Sequence, residues 1–340
     1  MMKVTVNDIA RVAKVSQSTV SRVLNNYPQV KQETRKKVLE AIEELKFSPD
    51  FVARSMVTNK TNTLGLIVGD ISNPFFAESA KIMISRAQEM GYDVIISNTN
   101  HIDSNMDHAV QTLLSKRVDG IIISSASRGS NKVKELHDAG FAVILHNSSV
   151  EDASSNYVVL DNKKGAIMAM DHLVHLGHEK IAFISGPSKY LNVYQRYAGY
   201  QEALEKHGLP FRKTFVYEGE FSYDAVYWFV QRMLEEKERP TAIFATSDQM
   251  ALAVMDAAAG KGLKIPEDLS VVGFDDMTIS SNHYIGLTTI SQHKEKMALL
   301  ALEHLISMVE KKGESADSIH MTLEPELMIR KTTGPPKKIT

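Results

Sequence analysis

Along the first 46 positions apolar residues recur at three- and four-residue intervals, the spacing of one helix face. Val6 to about Ala13 predicts a first helix, with Thr5 as N-cap and Ile9, Val12 and Ala13 turned inward. The stretch VSQSTVSRVLN, Val15 to Asn25, predicts a second. Ser16 caps it, Val15 packs on Val20 as a hydrophobic staple, and Val20, Val23 and Leu24 face inward. Gln17, Ser18, Ser21, Arg22 and Asn25 are left outward. About Gln32 to Leu45 predicts a third helix, with Val38, Leu39, Ile42 and Leu45 inward. The turn between the first two is only Lys14-Val15-Ser16, which makes a compact helix-turn-helix. Such a unit lays its second helix in the DNA major groove, where Gln pairs with adenine and Arg with guanine. Pattern alone fits a generic three-helix bundle equally well.

Ser48 with Pro49 then starts a further helical run, Phe51 to Val57, of about two turns. A polar linker, Thr58 to Thr63, follows. A helix this short is marginal in water, so it is expected to form only when something packs against it.

From Thr63 the pattern changes. Short β-type runs alternate with helical ones. The strand candidates are TLGLIVGDI, YDVIISNT, DGIIISSA, FAVILHNS, KIAFISG, TAIFATSD and SVVGFDD. Helical patterns lie between them at Phe76–Met90, Met106–Lys116, Lys164–Leu176, Tyr194–His207, Ala225–Glu236 and Gln249–Gly260. Repeated βαβ units imply an α/β fold of parallel sheets covered by helices. The strands are too many for one short sheet and lack the regularity of a barrel, so two doubly wound lobes are expected. Ligands of such sheets bind at the carboxyl ends of the strands, which a cleft between lobes collects.

Composition narrows the setting. The chain has 340 residues, 43% hydrophobic and 24% charged, with no cysteine. Disulfide scaffolds and cysteine zinc sites are excluded, and a reducing compartment is favoured. The start has no apolar signal core and no stretch is long enough to span a bilayer, so cytoplasm is the simple expectation and no membrane partner is called for. Net charge is −2, unevenly spread: residues 1–60 carry eleven Lys and Arg against six Asp and Glu, the rest 28 against 35. A basic head on an acidic body points to a polyanion partner for the head.

VTVNDIARVAKVSQSTVSRVLNN and ETRKKVLEAIEELKFSPDFVARSM resemble the N-terminal module of the LacI/GalR (lactose/galactose repressor) family at almost every position from Val4 to Met56. The resemblance implies a DNA-binding transcription regulator. Gln17, Ser18 and Arg22 would read bases; Thr5, Ser16, Thr19, Ser21, Asn25 and Thr34 would hold phosphates or cap helices. In that family the segment after the head folds on operator DNA as a pair of hinge helices in the minor groove, where an apolar side chain wedges a base step open. The wedge position here is Met56, where Leu is usual, and Ala53 and Arg54 match the pattern. Asp50 stands where Asn is common.

The body is similar to the periplasmic sugar-binding fold that the same family uses, through DISNPFFAE, SKRVDGIIIS, VVLDNKKGA, LGHEKIAFISG, QRYAGYQEAL, AIFATSDQMALAV, LSVVGFDD and LTTISQ. The domains implied are a helix-turn-helix at residues 1–47, a hinge helix and linker at 48–62, and an effector-binding and dimerisation body at 63–340. Its first lobe takes about 63–161 plus 292–322, its second about 162–291 plus 323–334, with crossings near Asp161-Asn162, Ser291-Gln292 and Leu323. The resemblance places Asn73, Phe75, Asn147, Arg196, Phe221, Ser247, Asp248, Asp275 and Gln292 at effector positions. An Arg–Asp combination donates to and accepts from one polyol, and an aromatic face suits sugar C–H surfaces. Asp248 could instead cap the following helix, and Phe75 could belong to the core.

Two departures matter. Asn147-Ser148 replaces the Asp-Arg of many sugar responders, and Ser247 stands where Asn is frequent. They leave a phosphorylated sugar, a disaccharide, a nucleoside or a protein corepressor open. His172, His175 and His178 are spaced by three, but Gly177 ends the helix before the last, so surface histidines are expected rather than a metal site. Asp275-Asp276 has no nucleophile elbow, phosphate loop or metal motif nearby, so neither an enzyme nor a cofactor is expected. The reading is a homodimeric repressor of a near-palindromic operator under control of a carbohydrate-like effector. No heptad repeat follows LEPELMIRKTT to build a tetramer.

Overall fold

The structure is a computed structural model that describes residues 4–24, 27–46, 60–151, 155–311 and 318–337. The chain divides into two compact units, Met1–Thr61 and Asn62–Thr340. The expected hinge helix, Phe51 to Val57, lies outside the described residues.

Among the described residues of the first unit three helices form, Val6–Val12, Gln17–Leu24 and Gln32–Glu44. Their core is Ile9, Ala10, Ala13, Val20, Val23, Val38 and Ala41, with Val15, Leu24, Ile42 and Leu45 half-buried against it. Two inward assignments are corrected. Val12 is 37% and Leu39 53% exposed. In the third helix Val38, Ala41, Ile42 and Leu45 make the i, i+3, i+4, i+7 stripe, and Leu39 sits about 100° round from it.

In the second unit, β1 (Thr63–Val68), β2 (Asp93–Asn98), β3 (Gly120–Ile123), β4 (Val143–His146), β5 (Tyr157–Leu160) and β11 (His320–Leu323) form one sheet in the order β11-β5-β4-β3-β1-β2. All its pairs are parallel. The other sheet takes β6 (Ile181–Ser185), β7 (Val216–Glu218), β8 (Ala242–Ala245), β9 (Ser270–Asp275), β10 (Thr288–Ser291) and β12 (Glu326–Met328), ordered β12-β10-β9-β8-β6-β7. Only β12, at its edge, runs antiparallel to its neighbour. Central strands such as GIII, AIFA and SVVGFD are buried from end to end, as parallel strands covered on both faces must be.

The chain changes sheet after β5, after β10 and after β11. The helix Asn162–His175 therefore packs on the second sheet and Lys294–Glu310 on the first. Each sheet turns the carboxyl ends of its parallel strands toward these crossings. That placement brings residues far apart in sequence to one cleft.

Candidate functional site

In the first unit, Thr5 caps its helix through a capping box. Its Oγ1 accepts from the Asp8 N–H at 3.4 Å, and the Asp8 carboxylate accepts from the Thr5 N–H at 3.0 Å. Arg11 reaches the same carboxylate at 2.8 Å. Lys14 takes a left-handed conformation, φ 53°, and turns the chain sharply toward the second helix. Ser16 starts that helix, its Oγ accepting from the Thr19 N–H at 3.2 Å and lying 2.8 Å from both the Ser18 and Thr19 hydroxyls. With Val20 and Val23 buried behind, Gln17, Ser18, Ser21 and Arg22 stand exposed on the opposite face, and Thr19 and Thr34 are half-buried. The structure thus puts Gln17, Ser18 and Arg22 on one exposed helix face. Asn25, Ala53, Arg54 and Met56 lie outside the described residues.

In the second unit the cleft gathers polar side chains at strand ends. Arg196, from the helix Leu191–Lys206, is 4% exposed and lies over the Phe274 ring at 3.7 Å. Its Nε donates to Asn162 Oδ1 at 2.9 Å and its Nη1 to the Thr246 carbonyl at 2.6 Å. Asp275, at the end of β9, is 4.0 Å from Nη1 and accepts from Gln292 Nε2 at 2.5 Å. Its backbone is held at φ 133°, a strained conformation for a residue with a side chain, and such strain gathers at functional sites. Burial, then the neighbouring charge of Asp248, pushes the Asp275 carboxyl up to about 8 against the opposing pull of Arg196. Burial lowers the Arg196 guanidinium to about 10.

Among the described residues, five buried polar atoms around these strand ends have no protein partner: Arg196 Nη2, Gln292 Oε1, His146 Nε2, Asn147 Oδ1 and Ser185 Oγ. Buried polar groups are seldom left unpaired, because each orphan costs about 1–3 kcal/mol. Asn147 follows β4 in a left-handed turn, φ 51°, and its carbonyl accepts from Asn192 Nδ2 of the other lobe at 3.2 Å.

The remaining expected contacts take different places. Asn73 caps the helix Pro74–Glu89, accepting from the Phe75 N–H at 3.0 Å. Phe75 is only 2% exposed, edge-on to Phe76 and stacked on His146. Ser247 is the cap of Asp248–Gly260, with its Oγ accepting from the Met250 N–H at 3.2 Å. Asp248 is not the cap, which corrects that sequence reading. It is fully buried; one carboxylate oxygen accepts from Thr289 Oγ1, the other from Ser280 Oγ at 2.6 Å and the Met277 N–H at 2.9 Å. One oxygen thereby fixes the loop that follows Asp275, and the other ties to β10.

Phe221 lies half-buried against His101, ring centroids 4.6 Å apart, and against Tyr190 at 5.8 Å. A Cβ at Gly186 would fall 2.2 Å from the Phe221 ring, so only glycine lets that ring lie on the end of β6. Lys189 adds hydrogen bonds from the second lobe to the His101 carbonyl at 3.3 Å and to Asp103 at 3.0 Å. On another side Glu78 receives the Thr278 N–H at 3.1 Å and Lys294 at 3.0 Å. The lobes are therefore clasped along their edges, and the sequence reading missed His101, Tyr190 and Lys189. Composition carries no signal for such residues, since only the fold brings loops 88 residues apart together.

The three spaced histidines do not converge. His172 bonds Thr333, His175 its own helix at the Asp171 carbonyl, and His178 is buried between Thr241, Ser270 and the Gly334 carbonyl. His178, 1% exposed, is thus a core residue and not the surface residue expected. Among the described residues no helix is long and apolar enough to cross a membrane.

Comparison with known proteins agrees with both units. Residues 5–50 match the model for bacterial regulatory proteins of the lacI family, and residues 170–333 that for the periplasmic binding protein-like domain. Catabolite control protein A of Priestia megaterium is 38% identical, covering 98% of this chain and 100% of its own. Among solved structures, the lac repressor dimer bound to operator and the anti-inducer ONPF is 29% identical with a TM-score of 0.86, covering 98% and 100% of the two chains. A complex of the transcriptional regulator CelR with cellobiose is 29% identical with a TM-score of 0.72, covering 97% and 100%.

Proposed function

Since the chain belongs to the lacI family of bacterial regulatory proteins and is a DNA-binding transcription regulator, we propose that it is a cytoplasmic, homodimeric repressor controlled by a small, carbohydrate-like effector. Residues 1–47 serve as the DNA-reading head, 48–62 as hinge and linker, and the two lobes as sensor. Two heads then meet two half-sites, which calls for a near-palindromic operator. Gln17, Ser18 and Arg22 meet base edges, and the capping hydroxyls around them face phosphates.

One observation carries the effector reading: the orphaned buried atoms of Arg196, Gln292, Asn147 and Ser185 at the strand ends. They are a mixture of donors and acceptors beside a carboxyl held near neutrality, which suits an uncharged polyol. Lys189, Lys294 and Arg128, cations at the cleft edges, are already engaged by Asp103, Glu78 and Glu151, which argues against a phosphorylated ligand. The neighbour that holds cellobiose supports the same class.

Effector binding acts by favouring one arrangement of the lobes over another. It can change operator affinity only through its different affinity for the two; a tenfold change needs about 1.4 kcal/mol of coupling. A thermal-shift and calorimetric screen of neutral sugars and sugar phosphates tests this reading. Saturable stabilisation by a neutral sugar, lost in Arg196→Met, is expected. Silence across the panel overturns it.

A further inference from the structure

We propose that His146 is a specificity-determining residue of the effector site, reading one hydroxyl of a neutral polyol through its Nε2; this rests on the cleft being the effector site.

Along β4 the side chains alternate between two cores. Val143 and Leu145 join one; Ile144 joins the other, with Ile122 of β3 and Phe75. His146 is two residues beyond Ile144, and Ser124 two beyond Ile122, so each ends an apolar column on the same face. Both columns stop in a polar group at the carboxyl end of the sheet, where a third aliphatic residue would pack as well. The two groups hydrogen bond, His146 Nδ1 to Ser124 Oγ at 3.0 Å. The ring stacks on Phe75, centroids 6.1 Å apart and planes 18° from parallel.

That leaves Nε2 fully buried with no partner, and Oδ1 of Asn147, the next residue in the chain, is likewise unpartnered. One turn along from Phe75, Ser79 Oγ is buried and unpartnered too. Burial drives the imidazole pKa down to about 3, so the ring is neutral. Ser124 holds Nδ1 as donor or as acceptor, and Nε2 takes the opposite role in each tautomer. A hydroxyl, which both donates and accepts, satisfies either. A methyl satisfies neither, and a bare acceptor only the Nε2–H tautomer.

The test uses the full chain with 15N-labelled histidine and a panel of neutral sugars that includes cellobiose, with singly deoxygenated forms of any that bind. In the wild type, saturation with a binding sugar is expected to move the His146 Nε2 resonance. Removal of one hydroxyl is expected to weaken binding tenfold or more. In His146→Leu the parent and that deoxy sugar are expected to bind within twofold of each other, and His146→Asn to recover part of the discrimination. If sugars bind, but the resonance stays put and deoxy losses are the same in both variants as in the wild type, the role is overturned while the effector site stands; Nε2 then bonds an internal water. If no sugar binds the wild type, the effector reading fails and this role with it. Should His146→Leu not fold, the wild-type resonance and His146→Asn decide the matter.

Discussion

Ser247 and Asp248 are neighbours in sequence, and both are polar and buried, yet their energetic roles differ. Ser247 satisfies one N–H at a helix start. Asp248 receives two hydroxyls and an N–H around a loop that holds Asp275. Ser247→Ala is expected to cost about 1 kcal/mol, an ordinary cap loss. Asp248→Ala leaves three buried donors unmet and is expected to cost about 3 kcal/mol or more. Urea denaturation measures both; equal losses would contradict the division of roles. Titration divides the site similarly. His146 is neutral in the folded chain down to about pH 3 but binds a proton below about 6.5 when unfolded, so its contribution to stability falls as pH drops below about 6.5. Asp275 has the opposite sign. Folded, it keeps its proton up to about pH 8, while unfolded it releases it near 4, so its contribution falls as pH rises between those values. Stability followed by urea denaturation from pH 4 to 8 is therefore expected to lose its rising limb in part in His146→Leu and its falling limb in part in Asp275→Asn. Unchanged slopes in these variants would contradict the buried, uncharged states of both groups.

At the scale of elements, the hinge is the one that sequence physics describes as conditional. Two turns of helix are too short to persist alone, so DNA is expected to supply the packing. Met56→Asp is expected to leave the thermal unfolding of the lobes unchanged and to abolish operator-specific binding while non-specific binding persists; unchanged operator affinity, measured by gel shift, would remove Met56 as the wedge. Six of the seven strands legible in the sequence are buried almost from end to end and carry continuous apolar runs. The seventh, β2, is a part-exposed edge strand with an apolar centre, and β5 and β10, buried as well, are absent from the expected strands. β7 and β12 are three-residue edge strands with exposed ends, and β11 alternates only weakly, so no such run marks them. Asn131–Asp138 offers just two buried positions, Val133 and Leu136. Lys294–Glu310 has a regular buried stripe from Met297 to Val309, a helical signal present in the sequence that the expected helices do not include. Of the site, Arg196, Asp275 and Gln292 were legible through the family resemblance, Arg196 on the helix Leu191–Lys206 and Asp275 and Gln292 at strand ends. The clasp of His101, Tyr190 and Lys189 was not, because it exists only once two lobes meet.

For the whole molecule, the proposed regulation joins two units through an energy difference. In the proposed regulator the head supplies sequence reading and the lobes supply a cleft with unmet hydrogen bonds. Neither is a regulator alone: a head without lobes has no input, and lobes without a head have no genomic output. Coupling is the property to measure. The most direct experiment is a footprint of the full chain on genomic fragments, repeated with the neutral sugar that the binding screen selects. A protected near-palindrome, bound far more tightly than unrelated DNA and shifted in affinity at least tenfold by that sugar, is the result predicted. A folded chain that binds the sugar yet protects no near-palindrome, or protects one with an affinity that the sugar leaves unchanged, would contradict it.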